Sequence, residues 1–213
     1  MHAMSLATIA HHEAGHAIAV LPLKRKIEIV RIENDLSGHL LLCDRNERAG
    51  VPTPDSLTAV FEIAADFAGV IAGARFDEEV ALNDDSDIEA RGGSGDLKNL
   101  RCKLAIMCND DAGKMRVLRE RAWDAACRLV ENYWRSIAEV AGELLRKRRL
   151  FDHDIRECVC RVGDRVLLRE QPSAVMTTRA PMTKTVKTRD GLLLVVDARS
   201  GVPIRYVTRP ARI

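Results

Sequence analysis

The sequence predicts a mainly α fold with a small β-hairpin, an α+β arrangement ending in a short β-rich tail. Three observations point there. Hydrophobic residues make up 46% of the 213 residues but aromatics only 4%, so the core must be built from Ala, Leu, Val and Ile. That composition favours helices and is too apolar for wholesale disorder. Apolar residues then recur at helical spacing over most of residues 53–160, as a helical bundle requires. Only residues 26–43 show the period-two alternation of half-buried strands near the start of the chain.

Taken in order, residues 5–20 read as a helix capped by Ser5 and ended by Leu21-Pro22. Residues 26–33 alternate apolar and charged side chains, Asn34-Asp35 turns the chain, and residues 38–43 return, giving a hairpin. Residues 44–52 are polar and loop-like. Thr53-Pro54-Asp55 starts a helix rich in small residues that ends near Arg75. Residues 77–95 are acidic and then glycine-rich, a long loop of the kind that often carries function. Asp96 opens a further helix, Asn109-Asp110-Asp111 breaks it, and a long helical stretch follows over 112–147, bent near Asn132. Phe151-Asp152 caps a last short helix to about Cys160. Residues 171–188 read as a linker and 188–207 as a hairpin or meander. Trp123, Tyr133 and Trp134 fall on the long helix and read as core or interface.

Charge divides the chain in two. Beyond residue 160 there are 11 Lys/Arg against 4 Asp/Glu, a net of +7, which leaves −5 for residues 1–160 out of the overall +2. The expected units are therefore 1–160 and a basic tail, 161–213. The tail has one tyrosine and no other aromatic, hence no stacking platform, which argues against nucleic acid and for partner docking or oligomerisation. The six cysteines form no CxxC pair and suit neither a zinc finger nor a disulfide framework, so a reducing, cytoplasmic setting is expected. No signal peptide is read at the N-terminus, no window approaches the roughly 18 apolar residues of a membrane span, and a soluble protein is expected.

Chemistry concentrates in His12-Glu13-Ala14-Gly15-His16, an HExxH sequence on the first helix. Side chains four apart share one helix face, so both imidazoles can reach a single ion. Glu13 follows the first ligand and can approach a water in the open coordination position as general base. Gly15 lies inside a helix at a cost of about 1 kcal/mol relative to Ala, which suggests close approach of another chain segment. His11 is rotated about 100° from His12 and is expected to support the site from behind or face solvent. His39 and His153 are expected at the surface.

His12 to Ala17 resembles the active-site helix of the FtsH family, the AAA-linked zinc peptidases. The order of the downstream segments is similar too: a strand at 27–32, a glycine-led strand from Gly38, the small-residue helix Phe67-Ala68-Gly69-Val70-Ile71-Ala72-Gly73-Ala74-Arg75, and the turn Gly92-Gly93-Ser94-Gly95-Asp96. Residues 137–145 and Leu150-Phe151-Asp152 resemble the closing helices, so the likeness spans about residues 5–160. It implies a zincin-like active-site helix, Zn2+ as cofactor, Asp96 as third ligand beside His12 and His16, Glu13 as catalytic residue, and hydrolysis of protein or peptide substrates. Asp84, Asp85 and Asp87 are the competing carboxylates, and Asp96 as a simple helix cap is the competing role. No GxxxxGK[ST] sequence occurs, so cleavage independent of ATP is expected, with an ATPase on a separate chain as the alternative. The hairpin edge is expected to receive an extended peptide. Two rival readings use the same residues: a peptidase that cuts one repressor, and a non-catalytic module that docks a protein partner.

Overall fold

The structure, a computed structural model, describes residues 5–34, 37–43, 51–77 and 94–168, together with the backbone of 183–187, 193–197 and 203–207. It divides into two units, Met1–Glu170 and Gln171–Ile213. The first unit thus extends ten residues beyond the expected boundary, because Leu167 is buried in the same core as the first helix.

Helix α1 (Leu6–Val20) begins at Ser5, whose hydroxyl accepts the Thr8 N–H at 3.0 Å, while the Ser5 N–H reaches back to Thr8 Oγ1. Twelve of its fifteen residues are buried. It is the central helix of the unit rather than an amphipathic surface helix, since its alanines and Gly15 let neighbours approach on every side. A 3₁₀ turn over Leu21–Leu23, with Pro22, ends it. Strands β1 (Ile27–Ile32) and β2 (Gly38–Leu42) form the expected antiparallel hairpin, with Val30 opposite Leu40.

Helix α2 (Leu57–Phe76) starts three residues later than its sequence suggests. Thr53 to Ser56 form a turn closed by Ser56 N–H to Thr53 O (2.9 Å), and the Ser56 hydroxyl caps by accepting the Ala59 N–H at 3.1 Å. Helix α3 (Ser94–Cys108) starts two residues before Asp96, so Asp96 sits in its first turn and is not its cap. Asn109 and Asp110 take left-handed conformations, and Asp111 caps α4 (Ala112–Asn132). Tyr133 departs from helical geometry and separates α4 from α5 (Trp134–Lys147), so the long stretch is two helices. The reversal at Arg148 leads into β3 (Arg149–Leu150), which pairs with β1. This two-residue strand, too short to read from periodicity, makes the sheet three-stranded in the order β2-β1-β3 and leaves β2 at an edge. Helix α6 (Asp152–Val162) ends at Gly163, φ +90°. In the second unit β4 (Thr183–Lys187), β5 (Leu193–Asp197) and β6 (Pro203–Val207) form an antiparallel meander, so the segment read as a linker contains its first strand.

Two apolar clusters share α2 as their wall. Ala65, Ala68 and Ala72 belong with α1, β1, α5 and α6; Ile63, Phe67 and Val70 belong with Leu97, Leu100 and Leu104 of α3 and Leu118 and Ala126 of α4. The ring of Phe67 meets Trp123 edge to face at 5.1 Å. By length and composition α2 would be apolar enough to cross a membrane, contrary to the expectation that no window is. Yet 72% of that window is buried against the rest of the protein, because the helix packs on both sides.

Candidate metal centre

The floor of the site is the contact of α1 with α2. A Cβ on Gly15 would lie 2.5 Å from the Ala68 carbonyl oxygen, so only glycine allows this approach. At the same level the Ala65 carbonyl accepts a 2.6 Å hydrogen bond from His16 Nδ1, which turns Nε2 toward the site. His12, one turn earlier, turns its own Nε2 to within 3.0 Å of His16 Nε2. The third group comes from α3: Asp96 Oδ2 lies 3.0 Å from His12 Nε2 and Oδ1 lies 3.3 Å from His16 Nε2. His12, His16 and Asp96 thus converge as one group able to hold a metal ion.

The spacing fits that use. Ligands about 2.0–2.1 Å from a tetrahedral ion stand about 3.3 Å apart, close to the separations found here. Two imidazoles and a carboxylate suit zinc and several other transition ions. The electrostatics are tuned to a cation as well. Burial alone would raise the Asp96 carboxyl, but His16 and His12 outweigh it and hold Asp96 well below the usual carboxylate range. Burial alone would lower His16, but Asp96 and Glu13 outweigh it and push its pKa up to about 9. A metal ion would replace the proton that this negative surround attracts.

Glu13 is buried at the same wall, against Gly38 at the start of β2, where any side chain would collide with its carboxylate. Burial pushes the Glu13 carboxyl up, opposed by His12 and His16. The group opens into a cleft of about 580 Å³ bounded by β2, α1, α2 and α3. Compared with known protein families and with curated proteins, the chain matches none.

Of the residues expected from the sequence, His12, Glu13, His16 and Asp96 come together. Asp84, Asp85 and Asp87 lie outside the described residues. His11 does not support the site and does not face solvent. It is buried between Phe76 and Trp134, its Nδ1 hydrogen-bonded to Ala7 O at 2.8 Å, and burial lowers its pKa. Phe76 and Trp134 supply an aromatic slot that the sequence could not show. His39 is exposed on the edge strand and borders the cleft, and the His153 side chain is 78% exposed. All six cysteines are free, Cys108 and Cys158 buried and Cys102 and Cys160 exposed. The cleft also contains two ion pairs not anticipated from the sequence, Arg25–Glu62 and Lys103–Asp66. The available signal was Glu62 and Asp66, four apart within a run of small apolar residues on α2.

Proposed function

We propose that the chain is a zinc-dependent metalloendopeptidase of the FtsH type, which hydrolyses peptide bonds of unfolded or specific protein substrates. The observation that carries the proposal is the 3.0–3.3 Å convergence of His12 Nε2, His16 Nε2 and Asp96 on an HExxH helix, with Glu13 beside them. Zinc at this site would polarise the scissile carbonyl and lower the pKa of water toward about 7. Ala65 orients His16, and Asp96 carries the negative charge that favours the ion. Glu13, buried beside the ligands, takes a proton from the attacking water and delivers it to the leaving amine.

Substrate reaches this arrangement along β2. Ser37, Gly38, His39, Leu40, Leu41 and Leu42 border the cleft, and β2 is an edge strand of its sheet. Its outer backbone groups can pair with an extended peptide whatever the side chains, which fits substrates presented as unfolded segments. An ATPase on a separate chain is compatible with this role but not required for it.

The test joins metal content with cleavage. Purified protein is expected to hold one zinc, and His16→Ala and Asp96→Ala to lose it. Glu13→Gln is expected to keep zinc but cease to cut unfolded casein. Cleavage by Glu13→Gln at the wild-type rate, or a wild type with no stoichiometric metal, would refute the assignment.

A further inference from the structure

The third ligand is delivered by a different helix from the two histidines, and its delivery needs explaining. Helix α3 is held to the body through Leu97, Leu100 and Leu104 in the second cluster. Such contacts are non-directional. Metal–ligand distances, in contrast, hold to within about ±0.2 Å, so a small rotation of α3 would carry Asp96 out of reach. Something directional must set that rotation.

Lys103 lies seven residues, two turns, after Asp96 and borders the same cleft. Its Nζ donates to both oxygens of Asp66 on α2, at 2.6 and 2.9 Å. Asp66 directly follows Ala65, whose carbonyl holds His16. One short stretch of α2 therefore references both His16 on α1 and Lys103 on α3. The Asp66 side chain is only 12% exposed, and burial raises its pKa against the pull of Lys103. Losing Lys103 would leave that largely buried carboxylate uncompensated, so the pair holds the two helices together at this point.

We propose that Asp66 and Lys103 form the positioning pair for the third ligand, locking α3 in the rotation that brings Asp96 to His12 and His16 and so setting the affinity for the metal ion. The proposal rests on reading that triad as a metal centre; it does not depend on the reaction catalysed. Removing Lys103 alone would strand a buried charge, so the informative variant is the near-isosteric double substitution Asp66→Asn/Lys103→Met. Lys103→Arg, which keeps a cation able to grip both oxygens, is the conservative companion.

Zinc affinity is measured by competition with a chromophoric chelator, coordination by the absorption spectrum of the cobalt(II)-loaded protein, and folding by melting of the metal-free protein. The double variant is expected to melt near the wild type when metal-free. Its zinc affinity should fall by about tenfold to a hundredfold, the usual effect of releasing a ligand's support. Its cobalt spectrum should lose the intensity of tetrahedral coordination. Lys103→Arg should retain both. A folded double variant with wild-type zinc affinity overturns the proposal, as does a folded Lys103→Arg that loses the metal. A wild type that takes up no zinc overturns the metal centre itself, and is told apart by failing before any variant is compared.

Discussion

Gly15→Ala sets two effects of known size against each other. Alanine is better than glycine inside a helix by about 1 kcal/mol, so a free surface position would gain stability. Here the new Cβ would stand 2.5 Å from the Ala68 carbonyl oxygen, 2.8 Å from Ala72 Cβ and 3.0 Å from the Ala68 carbonyl carbon. Ordinary carbon contacts begin near 3.5 Å, so α1 and α2 must separate by about 1 Å. Backbone and a Cβ cannot rotate away, which places the strain at the upper end of the roughly 1–3 kcal/mol of an overpacked core. The net expectation is a loss of about 2 kcal/mol, or about 4–8 °C in melting temperature for a unit of this size. The melt is run in chelator, so that metal binding to the folded state does not enter. Gly73→Ala, on the same face of α2, is the internal control. Its Cβ would meet His12 Cβ, Thr8 Cγ2 and Thr8 O all at 3.6 Å, ordinary contact, so propensity should win and stability rise by up to about 1 kcal/mol. A Gly15→Ala protein as stable as the wild type, or a Gly73→Ala protein equally damaged, would refute this account of the α1–α2 contact.

Gly69→Ala is expected to abolish stoichiometric zinc, because its Cβ would occupy the space of His16 Nε2; elemental analysis of the folded variant checks it. Gly38→Ala is expected to act on turnover instead, since its Cβ would displace the Glu13 carboxylate while leaving the ligands alone; zinc content should stay at the wild-type level as peptide cleavage falls. His16 predicts a pH dependence in the metal-free protein. Its folded pKa of about 9 lies above the ordinary 6.5, so the stabilisation is fully present below pH 6.5 and is lost as pH rises through about 9. Zinc displaces that proton, so zinc affinity should rise with pH over the same window. Melts and chelator titrations across it should move in opposite directions, and a flat pair of profiles would rule out the proton on His16.

Much of the site was legible because its signals are local. An HExxH spacing places two imidazoles on one face of a helix wherever that helix packs, and Ser5 marks where the helix begins. A glycine inside that helix announced a close neighbour, which proved to be the Ala68 backbone. Boundaries were less secure where two signals competed: Pro54 suggested the start of α2, but the Ser56 hydroxyl, bonded to both Thr53 O and the Ala59 N–H, supplies the cap. The resemblance to FtsH peptidases pointed to Asp96, whereas composition and spacing left it as one of several carboxylates.

What the chain determined by itself was thus the helical body, the hairpin, and the two histidines with their glutamate, since each depends on interactions within a few residues. The tertiary structure alone decided the rest. It brought Asp96 across from α3 and seated His16 on the Ala65 carbonyl. It added β3 to the far side of β1, leaving β2 and β3 as the two edges of the sheet, and buried His11 in an aromatic slot rather than beside the histidine pair. These contacts join residues dozens of positions apart, and no periodicity encodes them. They arise from how closely glycine and alanine let two helices approach, and from charged groups that can be buried only where a partner waits.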